Sequence, residues 1–72
     1  MLVLTQNKEI VNIDHIIKIY TEQYSKDPTF YTVVARSVQN VPYILGSYSS
    51  EAHCQEVIRE MLNTSYYIMP ER

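Results

Sequence analysis

Apolar and polar positions follow two different rhythms along this chain, and the change of rhythm divides it. From Ser50 to Asn63, Cys54, Val57, Ile58 and Met61 keep the spacing of one helical stripe, while Glu51, His53, Gln55, Glu56, Arg59, Glu60 and Asn63 fill the opposite face. Ser49 or Ser50 can cap the first turn by accepting from its free N–H groups, and Glu51 sits well against the positive end of the helix dipole. Asn63, Thr64 and Ser65 are weak helix formers that end the pattern, and Pro70 forbids a restart. Three turns are not stable alone in water, so the stripe needs a surface to lie on.

The preceding residues supply that surface as strands. Met1 to Gln6 is a short run of strand formers ending at Asn7-Lys8-Glu9, where a tight hairpin turn is expected. Ile10 to Tyr24 is too long for one regular strand. Val11, Ile13, Ile17 and Ile19 mark one face, Ile16, Lys18 and Tyr20 the other, and the Ile16-Ile17 pair signals a bulge or bend near Asp14-His15. A helix over Asp14 to Gln23 is the rival, with Ile13, Ile16, Ile17 and Tyr20 as its stripe. The excess of β-branched residues favours strand. After a turn at Ser25–Pro28, Thr29 to Ser37 forms the third strand, with Phe30, Thr32, Val34 and Arg36 opposite Tyr31, Val33, Ala35 and Ser37. Gln39-Asn40 is the next turn. Pro42 suits a strand start, and Tyr43 to Tyr48 is the fourth strand, in which Gly46 marks a bulge or a close approach, expected beneath the helix. The tail from Tyr66 is extended, and either folds back along the sheet or reaches a neighbouring molecule. The expected architecture is α+β: a four-stranded antiparallel meander with one C-terminal helix packed on one face (ββββα) and an extended C-terminal tail.

Size limits what this layout can do alone. Seventy-two residues make one domain, and a single core of that size yields only about 3–5 kcal/mol. One cysteine excludes an internal disulfide, and one Cys with two His cannot furnish four zinc ligands. Self-association is the remaining common source of stability, with a dimer favoured. The lone Cys54 fits a reducing, cytoplasmic setting. No apolar run approaches the ~20 residues that span a bilayer, and no basic region precedes a long apolar stretch, so neither a membrane anchor nor a signal peptide is expected. The net charge is −2, and Lys8, Lys18, Lys26, Arg36, Arg59 and Arg72 are dispersed, which speaks against a nucleic-acid partner.

Val11-Asn12-Ile13-Asp14 in the second strand, Leu45-Gly46-x-Tyr48 running into Ser-Ser-Glu and a striped helix, and the closing Met69-Pro70-Glu71 together carry a resemblance. On these residues the chain resembles a group of short uncharacterised proteins of Gram-positive bacteria and their phages and prophages. No activity is assigned to that group, so the resemblance transfers no functional residue. It implies a cytoplasmic, phage-borne accessory protein.

Candidate chemistry is sparse. His53 and Cys54 lie roughly 100° apart around the helix and cannot share a site, so Cys54 reads as packing and His53 as solvated. Asp14 and His15, adjacent on a strand, point to opposite faces. No catalytic, cofactor-binding or metal-ligating residue emerges, and an enzyme is not expected. The conspicuous feature is tyrosine: seven, against one Phe and no Trp. Tyrosine offers large area with a polar tip, which suits both half-wet sheet faces and interfaces. Tyr20, Tyr24, Tyr31, Tyr43, Tyr66 and Tyr67 are therefore candidate contact residues. The expected function is a small interaction module that self-associates through a Tyr-rich sheet face or edge. The alternative is an accessory factor that binds and inhibits a host protein or sequesters a small ligand.

Overall fold

The computed structural model describes residues 1–71; Arg72, the last residue of the predicted tail, lies outside them. Among the described residues, six strands form two three-stranded sheets beside one α-helix. The class is α+β, as expected, but the single four-stranded meander is corrected.

The correction begins at Asn12. β1 (Leu2–Leu4) and β2 (Ile10–Asn12) form the predicted antiparallel hairpin, with Lys8 taking the positive φ of 67° in its turn. The Asn12 side chain then accepts from Asp14 N–H at 3.0 Å and opens a 3-10 turn over Ile13–His15. That turn breaks the long predicted strand in two, and β3 (Ile16–Gln23) enters a different sheet. From Ile16 onward the strand reading holds over its helical rival. The bulge falls between Ile16 and Lys18, so Ile16 packs on the core while Ile17 is exposed. The face assignment of that pair is thereby reversed.

β3, β4 (Tyr31–Ser37) and β5 (Pro42–Tyr48) make an antiparallel meander with β4 in the middle. Val33 and Ala35 face inward with Ile19 and Leu45, as the alternation in β4 predicts. α1 (Glu51–Met61) lies over this inner face and buries Cys54, Val57 and Met61. Its cap is Ser50, whose hydroxyl accepts from His53 N–H at 3.1 Å.

The tail folds back. β6 (Tyr66–Ile68) pairs with β1 in parallel, Leu2 opposite Tyr66 and Leu4 opposite Ile68, which completes the small sheet β2-β1-β6. Its inward residues Val3, Val11 and Tyr67 meet the same core, which Met69 closes.

Gln6 ties the two sheets together. Its N–H donates to Leu45 C=O at 3.0 Å, and its side-chain Oε1 accepts from Ser47 N–H at 2.8 Å. Nε2 donates to Ser47 C=O at 3.3 Å and to Pro70 C=O at 2.9 Å. One side chain thus stands in for a strand along part of the β5 edge. The buried Tyr48 hydroxyl donates to the same Pro70 C=O at 2.8 Å. Gly46 makes room for this arrangement: a Cβ there would meet Tyr48 Oη at 3.0 Å and Gln6 Cδ at 3.1 Å. The close approach expected at Gly46 is therefore real, but it lies beneath Gln6 and not the helix.

Candidate interaction surfaces

The six candidate tyrosines do not share one face. Tyr20 lies on the outer face of the meander, away from α1. There its hydroxyl accepts from Arg36 Nη2 at 2.9 Å, with Lys18 Nζ 5.3 Å from the ring centre. Tyr24, just beyond β3, lines a shallow cleft with Ile44 and Gly46. Tyr31 and Tyr67 point inward and pack on the core; Tyr67 donates to Glu60 at 2.7 Å, and burial first, then that bond, raises its pKa. Tyr43 rims a cleft between β5 and the hairpin, beside Ile10 and His15. Tyr66 lies on the outer face of β6, 70% exposed and apart from the other tyrosines.

Around Tyr66 the small sheet presents a surface that the tyrosine count does not reveal. Val3, Val11 and Tyr67 face the core, so alternation turns Leu2, Leu4, Ile10, Asn12, Tyr66 and Ile68 outward. Register sets them in two rows, Asn12–Leu2–Tyr66 and Ile10–Leu4–Ile68. Five of these six are apolar or aromatic, and Leu2, Ile10, Tyr66 and Ile68 are all at least half exposed. The sequence signal is present in MLVL and YYI, which carry apolar residues on both alternating faces. Such segments read as buried on both sides, and only the sheet order shows that one side is open.

A second apolar region is the groove of about 410 Å³ between α1 and β3, lined by Ile16, Ile17, Ile19, Ile58, Met61 and Leu62 among others. It adjoins the edge of β3, with which no other strand pairs among the described residues.

The residues weighed for chemistry are held apart. Cys54 is fully buried, its thiol 3.5 Å from Tyr31 C=O, and burial raises its pKa. His53 turns from it to the Tyr48 ring, with centroids 4.5 Å apart, so it is half-buried and not solvated as expected. Asp14 accepts from the Met1 ammonium at 2.8 Å, and that bond lowers its pKa; His15 is exposed in the 3-10 turn. Among the described residues no three His, Cys, Asp or Glu side chains gather as metal ligands, and no helix is long and apolar enough to cross a membrane. Comparison with protein-family models, with curated proteins and with solved structures finds no match.

Proposed function

We propose that this chain is a small non-enzymatic interaction module that self-associates, with the outer face of the small sheet at the centre of the contact. The observation that supports this reading is the double row of Leu2, Leu4, Ile10, Tyr66 and Ile68, in which Leu4 is half-buried and the other four are open to water. Each Å² of such surface removed from water is worth about 25 cal/mol, and a chain of 72 residues has little stability to spare.

A second copy suits this face. The net charge of −2 sets up little repulsion between copies. A standard interface covers about 800 Å² of each partner, about a sixth of this molecule's 4786 Å². The apolar rows supply a few hundred Å² at the centre, and Asn12 with the exposed Lys8–Glu71 pair supplies a polar rim. Two such faces pack as two sheets do, about 10 Å apart.

Light scattering coupled to size-exclusion chromatography tests it. The wild type is expected to run at a multiple of 8.5 kDa, and Ile10→Lys, placed in one row at a position 70% exposed, is expected to weaken association at least tenfold while keeping the fold. A wild type that stays at the mass of one copy up to high micromolar concentration overturns the proposal.

A further inference from the structure

We infer that the free edge of β3 is a second, self-complementary contact, at which two copies pair antiparallel across a two-fold axis through Tyr20. The inference rests on the self-association reading only in taking another copy of the chain as partner; it uses a different surface.

The backbone is available. Tyr24 N–H donates to Phe30 C=O at 2.9 Å, and Glu22 C=O accepts from the Thr32 hydroxyl at 3.1 Å, so beyond the bulge, from Lys18 onward, the even-numbered residues of β3 turn their backbone groups towards β4. Alternation then turns the N–H and C=O groups of Ile19 and Thr21 outward, to an edge where no strand pairs among the described residues. An open edge of this length is a template for another strand.

The charges choose the partner and the register. Lys18, Tyr20 and Glu22 stand on the outer face of β3, opposite Arg36, Val34 and Thr32 of β4. Lys18 and Glu22 are both exposed. An axis at Tyr20 sets Lys18 against the partner's Glu22, and the partner's Lys18 against Glu22, so both ion pairs form at once. An axis at Lys18 or at Glu22 sets like charges face to face instead. Edge lysines ordinarily repel a second strand; here a glutamate four residues on cancels that defence in one register. In that register Ile19 and Thr21 of the two copies exchange roughly four backbone hydrogen bonds, and the charged pairs fall at non-hydrogen-bonded positions, where side chains approach most closely. The two meanders become one continuous antiparallel sheet, with both helices on the same side. The α1–β3 groove opens beside this seam, and its exposed rims, Ile17 at 59% and Leu62 at 76%, gain cover from the second copy. This contact alone closes on a pair, and together with the small-sheet contact it joins copies into a closed set of four or an extending row.

Charge exchange tests it. Lys18→Glu makes the β3 edge wholly acidic and Glu22→Lys makes it wholly basic, so each variant opposes its own copies and complements the other. Equal amounts of the two, each also carrying Ile10→Lys to silence the small-sheet contact and one labelled with ¹⁵N, are mixed and the pairs counted by native mass spectrometry. Heteropairs are expected to outnumber each kind of homopair by about tenfold, and the double exchange Lys18→Glu/Glu22→Lys is expected to pair like the wild type. Random mixing, with heteropairs only twice as abundant as each homopair, overturns the edge contact while leaving self-association through the small sheet standing. Absence of any pairs from the wild type overturns both.

Discussion

Replacing Gln6 with alanine tests the joint between the sheets most directly. The substitution removes three side-chain hydrogen bonds, to Ser47 N–H, Ser47 C=O and Pro70 C=O. Pro70 C=O keeps the Tyr48 hydroxyl, but Ser47, only 8% exposed, is left with an unpaired N–H. A net hydrogen bond is worth about 0.5–1.5 kcal/mol and an orphaned buried donor costs about 1–3, so the loss is about 2–4 kcal/mol. For a domain of this size that lowers Tm by at least ~10 °C. Gln6→Glu refines the test because it keeps the shape. At neutral pH its carboxylate can still accept from Ser47 N–H, yet it faces two carbonyl oxygens where Nε2 stood. Its pKa in the folded state is therefore raised, so folding favours the protonated form. The protein is then closest to wild type at pH 4 and below, and loses stability as pH rises through the raised value. Thermal melts followed by circular dichroism, at one fixed protein concentration, read both effects against wild type at the same pH. A Gln6→Ala protein melting within 3 °C of wild type, or a Gln6→Glu deficit equal at pH 4 and pH 7, refutes the reasoning.

Three further outcomes are expected. Gly46→Ala places a methyl within about 3 Å of Gln6 and the Tyr48 hydroxyl and costs about 1–3 kcal/mol; combined with Gln6→Ala the cost falls short of the sum, which denaturant titration of the two single variants and the double variant reads. Cys54, fully buried with its pKa raised by burial, reacts with a thiol reagent only at the rate of opening, so the labelling rate follows denaturant as global unfolding does; fast labelling in buffer contradicts this. Burial pushes the Tyr48 phenol up to about 12 from 10.0. The folded state thus holds its proton longer than the unfolded one, stability is constant below pH 10 from this source, and about 2 kcal/mol is lost as pH climbs from 10 to 12. Tyr48→Phe removes this share of the alkaline loss in urea titrations across the range, leaving the share due to Tyr67, whose pKa is also raised.

What the chain displays in advance follows from how local each cause is. The α1 stripe, its Ser50 cap and the inward Val33 and Ala35 of β4 arise from neighbours within a turn or a pleat, and their spacing is visible in the residues themselves. The 3-10 break at Ile13–His15 turns on one short bond from Asn12, which a run of β-branched residues conceals. The role of Gln6 has no local trace at all: its partners lie 41 and 64 residues away. The open face escapes a sequence reading for a related reason. Leu2, Ile10, Tyr66 and Ile68 become one surface only once β6 lies along β1, and a parallel pair leaves no turn between its strands to announce it. Tyrosine content points towards contact surfaces, yet Tyr31 and Tyr67 serve the core, and the neighbours of Tyr20 and Tyr66 matter more than the count.

The parallel seating of β6 on β1 also sets an order of events. Leu2 and Tyr66 are joined across 64 residues, and closing a loop of that length costs about 4 kcal/mol in chain entropy beyond a constant term. The meander and α1 form from contacts much nearer in sequence, so they can assemble first and offer Val33, Leu45 and Met61 as a platform. Until β6 arrives, the β1–β2 hairpin is a two-stranded ribbon with marginal standing of its own. The small sheet is therefore expected to form last and to open first, which hydrogen exchange of the β1, β2 and β6 amides against those of β4 checks. Substitutions at Gln6, Met69 or Pro70 accordingly hasten unfolding while leaving the folding rate nearly unchanged. The open apolar face of the small sheet is thus completed only when β6 is seated, because Tyr66 and Ile68 supply one side of it.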